Sequence, residues 1–156
     1  MNQNDPPTEH ILACLSSSPS NAKIVRTAAT MAKAFGGTFT ALYVRTPDSD
    51  QMGKEDCRRL QQHIRMAEQA GADISTIYGD DIPQQIAEFA RISGITKIVL
   101  GRSSVHRHHF WSGPSLTEKL TMTAPNLDIY IIPDASAENG YGSGKKLFTR
   151  PLLPSV

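Results

Sequence analysis

A chain of 156 residues, 39% of them hydrophobic, leaves room for one globular core and not for two. Sixteen Lys and Arg against fifteen Asp and Glu give a net charge of +1, which excludes a global attraction to nucleic acid or acidic lipid. Two cysteines, Cys14 and Cys57, can form neither a disulfide framework nor a metal-binding spacing, which suits a reducing, cytosolic setting.

The start, MNQNDPPTEH, has neither a basic region nor an apolar segment, and no run of 18 apolar residues follows anywhere, so as given the chain reads as neither secreted nor membrane-spanning. Residues 1–8 are polar and proline-containing and read as a flexible arm. Ile11 to Leu15 is a short apolar run, a strand, with Cys14 as a packed thiol. The stretch LSSSPSNAK at 15–23 sits between that strand and a helix whose Val25, Ala28, Ala32 and Phe35 recur at spacings of three and four. Gly36 and Gly37 end that helix in the left-handed conformation such a stop requires. Thr38 to Val44 is the second strand, Leu60, Ile64 and Ala67 mark a second helix, and Ile74 to Ile77 is the third strand. The third helix, striped by Ile82, Ile86 and Phe89, opens on Asp81 as cap, with Pro83 in its first turn and Gln84 completing a capping box. Lys97 to Leu100 is the fourth strand, Leu116 and Leu120 mark a short fourth helix behind Ser115, and Leu127 to Ile132 is the fifth strand. Residues 134–156, rich in Gly, Ser and Pro, read as a flexible linker or tail, which leaves 9–133 as the domain.

Five strands alternating with four helices predict an α/β fold. Its sheet is doubly wound, five-stranded and parallel, in the order 3-2-1-4-5, with helices on both faces. In such a sheet a ligand sits beyond the carboxyl ends of the strands where the order reverses, here between the loops after strands 1 and 4. The first of these is Ser16 to Ser20, leading into a helix start whose free amides attract an anion. The second, GRSSVHRHHFWSGPS at 101–115, brings Arg102, Arg107, His106, His108 and His109. Facing each other, the two loops suit a ligand with more than one phosphate, with Tyr43 and Trp111 placed to stack on a base. Spacing alone leaves two readings of the serines open, helix caps or phosphate ligands. Arg26 is equally a surface charge or a phosphate ligand. The three histidines lack a distant carboxylate or thiol partner, so a metal is not expected. Asp80 and Asp81 are explained by capping, and no nucleophile or general base has a recognisable site, so catalysis is not expected.

The alternation, GDD at 79–81 before a helix and TKIVLG at 96–101 resemble the universal stress protein domain, an adenine nucleotide alpha hydrolase-like fold, in the version found in KdpD-type potassium sensor histidine kinases. The resemblance spans about residues 9–133. ATP-binding members carry GxxG, nine residues, then G[ST]; here Gly101 is present, but Ser104 and Pro114 stand at the other two glycine positions, between Gly113 and Ser115, which argues against ATP. Sensors of the cyclic di-AMP-binding kind resemble one another in a second pattern, SxS, twenty residues, FTAxY. Ser16 and Ser18, residues 19–38, then Phe39, Thr40, Ala41 and Tyr43 match it throughout. Strand alternation puts Phe39, Ala41 and Tyr43 on one face and Thr40 on the other. The resemblance implies a cytosolic regulatory domain, not an enzyme itself, that binds this dinucleotide second messenger and controls potassium-uptake gene expression through neighbouring kinase domains. Membrane attachment would come only through other parts of the parent. The expected ligand contacts are Ser16, Ser18, Arg26, Phe39, Thr40, Ala41, Tyr43, Gly101, Arg102, Ser103, Trp111 and Ser115. A homodimer through the last strand is a further expectation. The competing readings are an ATP-binding stress protein and a ligand-free interaction module.

Overall fold

The structure, a computed structural model, describes residues 8–102 and 114–133. In chain order it contains β1 (His10–Cys14), α1 (Asn21–Phe35), β2 (Thr38–Arg45), a short 3-10 helix (Pro47–Gln51), α2 (Lys54–Gln69), β3 (Asp73–Tyr78), α3 (Ile82–Ile92), β4 (Lys97–Gly101), α4 (Leu116–Thr123) and β5 (Asp128–Ile132). The strands form one sheet in the order β3-β2-β1-β4-β5, and every neighbouring pair is parallel, as the alternation of elements predicts.

Two apolar layers hold the sheet. Ile11, Ala13 and Leu15 pack with Ile24, Val25 and Ala28 of α1 and with Leu60 and Ala67 of α2. On the other face Leu12, Leu42 and Leu100 pack with Ile86 and Ala90 of α3 and with Leu116 and Leu120 of α4. The central strands are therefore buried on both sides, while β3 and β5 at the edges are only partly covered, and β5 exposes Tyr130 and Ile131. Each buried aliphatic side chain contributes about 1.5–3 kcal/mol through area removed from water.

The turns follow local chemistry with two departures. Gly36 ends α1 at φ 62°, the left-handed conformation that glycine adopts without strain. Gly37 serves a different need, since a Cβ there would stand 2.2 Å from the Glu9 carbonyl oxygen where β2 begins to run beside β1. Phe35, expected on the buried stripe, is instead 51% exposed, because α1 outruns the sheet there, and its ring lies under the Lys97 ammonium at 5.0 Å. Lys97 also bonds Asp128 at 2.6 Å, which holds its ammonium above the usual lysine range. Asp81 caps α3 by accepting from the Gln84 backbone N–H at 3.0 Å, but the Gln84 side chain turns to Glu88 and Lys119, so the return half of the expected box is not made there.

Candidate functional site

The strand order reverses between β1 and β4, so the crevice opens where the chain leaves these two strands. Ser103, Ser104, His106, Arg107, His108, His109 and Trp111 lie outside the described residues, as do most of the arm at 1–8 and the tail at 134–156. The described half of the crevice is the serine loop after β1.

That loop is built by side chains from two helices. Leu15 continues the line of β1 by donating its N–H to Leu42 at 2.7 Å. Asn21, the first residue of α1 and 2% exposed, then folds back: its Nδ2 donates to the Cys14 carbonyl at 2.8 Å and its Oδ1 accepts from the Ser16 N–H at 3.2 Å. Within the loop the Ser18 N–H donates to Ser16 Oγ at 3.3 Å, and the Ser18 and Ser20 hydroxyls pair at 2.9 Å. From α2, His63 Nδ1 donates to the Ser16 carbonyl at 2.8 Å and Arg59 Nη1 to the Ser17 carbonyl at 2.9 Å. Arg59 is also within 3.3 Å of Asp56. Cys14, at the loop's base, packs in the layer beneath α3 and α4, and burial pushes its thiol up to about 12.

No serine side chain caps α1, although the Ser18 and Ser20 carbonyls accept from the Asn21 and Lys23 N–H groups at 2.9 and 3.2 Å. Its cap residue is Ser20, in helical backbone conformation and without a side-chain hydrogen bond to the helix, and no acidic residue lies in the first turn. Of the other three helices, α3 is capped by Asp81 and α4 by Ser115, while α2 starts on Gly53 without a side-chain cap but carries Glu55 and Asp56 in its first turn. At α4 the Ser115 hydroxyl accepts from the Glu118 N–H at 3.3 Å, and the Glu118 carboxylate accepts from the Ser115 N–H at 2.7 Å. Ser115, an expected ligand contact, is thus engaged in its own helix.

The second half of the sequence pattern lies on β2, and the register decides which of its residues reach the crevice. Phe39, Ala41 and Tyr43 do share one face, packed on the α1 and α2 layer, while Leu42 and Val44 join the opposite layer with Thr40 in phase with them. Leu42 stands level with Cys14, so Tyr43 borders the serine loop. Phe39 stands level with Ile11 and is 5% exposed, three residues back, roughly 10 Å at 3.3 Å per residue. Ala41 is fully buried between Ala13 and Ile74. Ala13 pairs with Val99, which carries Gly101 to the level of Leu15 and hence to the same edge. Arg102 follows it, exposed. Arg26 is exposed on the outer face of α1. The structure therefore gathers Ser16, Ser18, Tyr43, Gly101 and Arg102 at the carboxyl edge, whereas Phe39 and Ala41 fill the core.

Sequence reading missed Asn21, Arg59 and His63, the residues that shape the loop. His63 left a faint trace, since it falls within the apolar stripe of Leu60, Ile64 and Ala67, where a polar side chain needs a buried partner. Asn21 left none. Two surface grooves lie elsewhere, one at the amino edge between Ala29, Lys33, Gly37 and Asp73, the other along Pro114, Thr117 and Met122 of the α4 region. Among the described residues no group of His, Cys, Asp and Glu is arranged to hold a metal, and no helix is long and apolar enough to cross a membrane.

Compared with known proteins, residues 7–125 match the model of the universal stress protein family. A sensor protein KdpD of Clostridium acetobutylicum is 35% identical over 134 residues, 83% of this chain and 14% of that protein. The sensor protein KdpD of Escherichia coli K12 is 29% identical over 122 residues, 78% of this chain and 13% of its own length. The chain thus spans about one seventh of the length of these relatives. Among solved structures, a universal stress protein in complex with cAMP superposes with a TM-score of 0.58 at 16% identity, covering 82% of this chain and 98% of that one. Universal stress protein UspA from Lactobacillus plantarum gives 0.56 at 21%, covering 82% and 99%.

Proposed function

The chain belongs to the universal stress protein family, and on that premise we propose that it is a nucleotide-sensing regulatory domain whose ligand is cyclic di-AMP. The observation that carries this reading is the uncapped start of α1, where Ser16 and Ser18 are held in a loop beside the helix and leave its first turn without an acidic side chain or a side-chain cap. A phosphodiester complements such a helix end through the helix dipole, which favours negative charge there, while the Asn21 and Lys23 N–H groups already donate to the Ser18 and Ser20 carbonyls at 2.9 and 3.2 Å. The spacing from Ser16 and Ser18 to the FTAxY strand, and the seating of Tyr43 beside the loop, support an adenine as the neighbouring group. The cAMP complex of a protein with this fold supports an adenine nucleotide as ligand class.

The proposed domain spans residues 9–133, between an N-terminal arm and a C-terminal linker or tail. The similarity to sensor proteins KdpD supports a place beside the catalytic and membrane parts of a potassium-sensing kinase, on the cytosolic side, where the domain adjusts potassium-uptake gene expression. The ligand acts by binding two conformations of the domain with different affinity. The domain itself turns over no substrate. β5, with Tyr130 and Ile131 exposed, offers an edge for pairing with a second copy.

Isothermal titration with cyclic di-AMP, ATP and AMP tests the ligand. Saturable binding of cyclic di-AMP, weakened about tenfold or more by the Ser16→Ala, Ser18→Ala double change, is the expected result. Binding of ATP without cyclic di-AMP would sink the proposal.

A further inference from the structure

Four polar or charged side chains are buried among the described residues: Ser20, Asn21, His63 and Lys97. Lys97 serves the amino edge of the sheet, and the other three converge on the serine loop. Burying a polar group costs free energy unless it is bonded. Asn21 repays that cost by joining the loop to its own strand. His63 meets it across the fold, bonding the Ser16 carbonyl from 47 residues away along the chain.

We infer that His63, assisted by Arg59, is a positioning residue for the serine loop and sets its affinity for the phosphate-bearing ligand; the inference rests on the nucleotide-binding reading above. A carbonyl oxygen only accepts, so His63 Nδ1 carries the proton in its bond to Ser16. In a trans peptide the carbonyl and the following N–H point in opposite directions, and none of the described peptide bonds is cis. Drawing the Ser16 and Ser17 carbonyls to His63 and Arg59 therefore turns the Ser17 and Ser18 N–H groups away from α2. The same two bonds withdraw carbonyl oxygens, which carry partial negative charge, from the place an anion would take. An extended backbone would alternate these carbonyls instead, so the loop needs an outside tether to keep both on one side. α2 supplies it with a buried donor, His63 at 3% exposure, and a half-buried one, Arg59.

The test titrates cyclic di-AMP into the whole chain and into His63→Leu, His63→Asn and Arg59→Met. Leucine fills the site without a donor, whereas the asparagine amide places an N–H close to where Nδ1 stood. His63→Leu is expected to bind about tenfold more weakly, His63→Asn within about threefold of the parent, and Arg59→Met about three- to tenfold more weakly, the scale of one hydrogen bond each. Amide exchange at Ser16 and Ser18, whose N–H groups bond Asn21 Oδ1 and Ser16 Oγ in the ligand-free chain, should quicken in His63→Leu and return in His63→Asn. Parent-like affinity in a folded His63→Leu, or equal losses in leucine and asparagine variants, overturns the inference. If His63→Leu does not fold, Arg59→Met decides, because its half-exposed side chain is removable without emptying the core. If the parent binds no cyclic di-AMP, the ligand proposal fails separately, and the exchange data alone decide whether α2 positions the loop.

Discussion

Helices α1 and α4 both begin at the carboxyl side of the sheet with a serine at the cap position, yet the two starts are built in opposite ways. At α4 the hydroxyl of Ser115 and the carboxylate of Glu118 satisfy the helix amides reciprocally and place a negative charge in the first turn. At α1 no side chain caps the helix, the first turn holds no acid, and the neighbouring serines bond to one another and to side chains from elsewhere. A finished helix start is locally self-sufficient, whereas an unfinished one held in shape by distant residues is what an anionic ligand can complete. The same residue type thus reads as cap in one place and as ligand candidate in the other, and only its bonds tell them apart.

The largest effect on this contrast is expected from Asn21→Ala, which removes both bonds that tie the loop to β1 and leaves the Cys14 carbonyl and Ser16 N–H unpaired. A loss of about 2–3 kcal/mol follows from two buried groups losing partners, measured by urea unfolding; a loss below half a kilocalorie would mean the loop is not held as described. Next, Ser115→Ala should cost about 1 kcal/mol as the loss of a working cap, while Ser20→Ala should cost only a few tenths. Equal costs in calorimetry would erase the distinction between the two helix starts.

A smaller and more telling change is Ala22→Glu, which gives α1 the acidic first turn that α4 already has. It should stabilise the ligand-free chain by about 0.3–1 kcal/mol through the helix dipole and weaken cyclic di-AMP binding, while Glu118→Gln leaves binding unchanged. Tighter binding in Ala22→Glu would count against an anion at α1. At neutral pH the smallest effect is expected from Cys14. Its thiol titrates at about 12 in the folded chain against 9.0 in a solvated one, so between these values the unfolded chain releases a proton that the folded chain keeps. Stability therefore falls as pH rises from 9 toward 12. Lys97, held above 10.5 by Asp128, adds a contribution that is full below that pH and lost above it. Cys14→Ala should delay the alkaline loss of stability, followed by circular dichroism, without moving the neutral midpoint through titration.

Much of the architecture was legible because it rests on local periods. Alternation in β1 sends Ile11 and Ala13 to one layer and Leu12 to the other, and the spacing of Val25, Ala28 and Ala32 commits one side of α1 to the sheet. Phe35 shows where such reasoning stops, since the helical period places it inward while the sheet ends before it. The β2 pattern divides in the same way. Its face alternation was readable, but only the register with β1 shows Tyr43 at the crevice and Phe39 some three residues behind it.

What the sequence by itself determined is the α/β class, the parallel order 3-2-1-4-5 and its reversal between β1 and β4, because strand period, helix period and crossover handedness are properties of the chain read along its length. What only the tertiary structure decided is the state of the serine loop. Besides Asn21, it is tethered by Arg59 and His63, 42 and 47 residues away along the chain, whose hydrogen bonds exist only after α2 has packed beside α1.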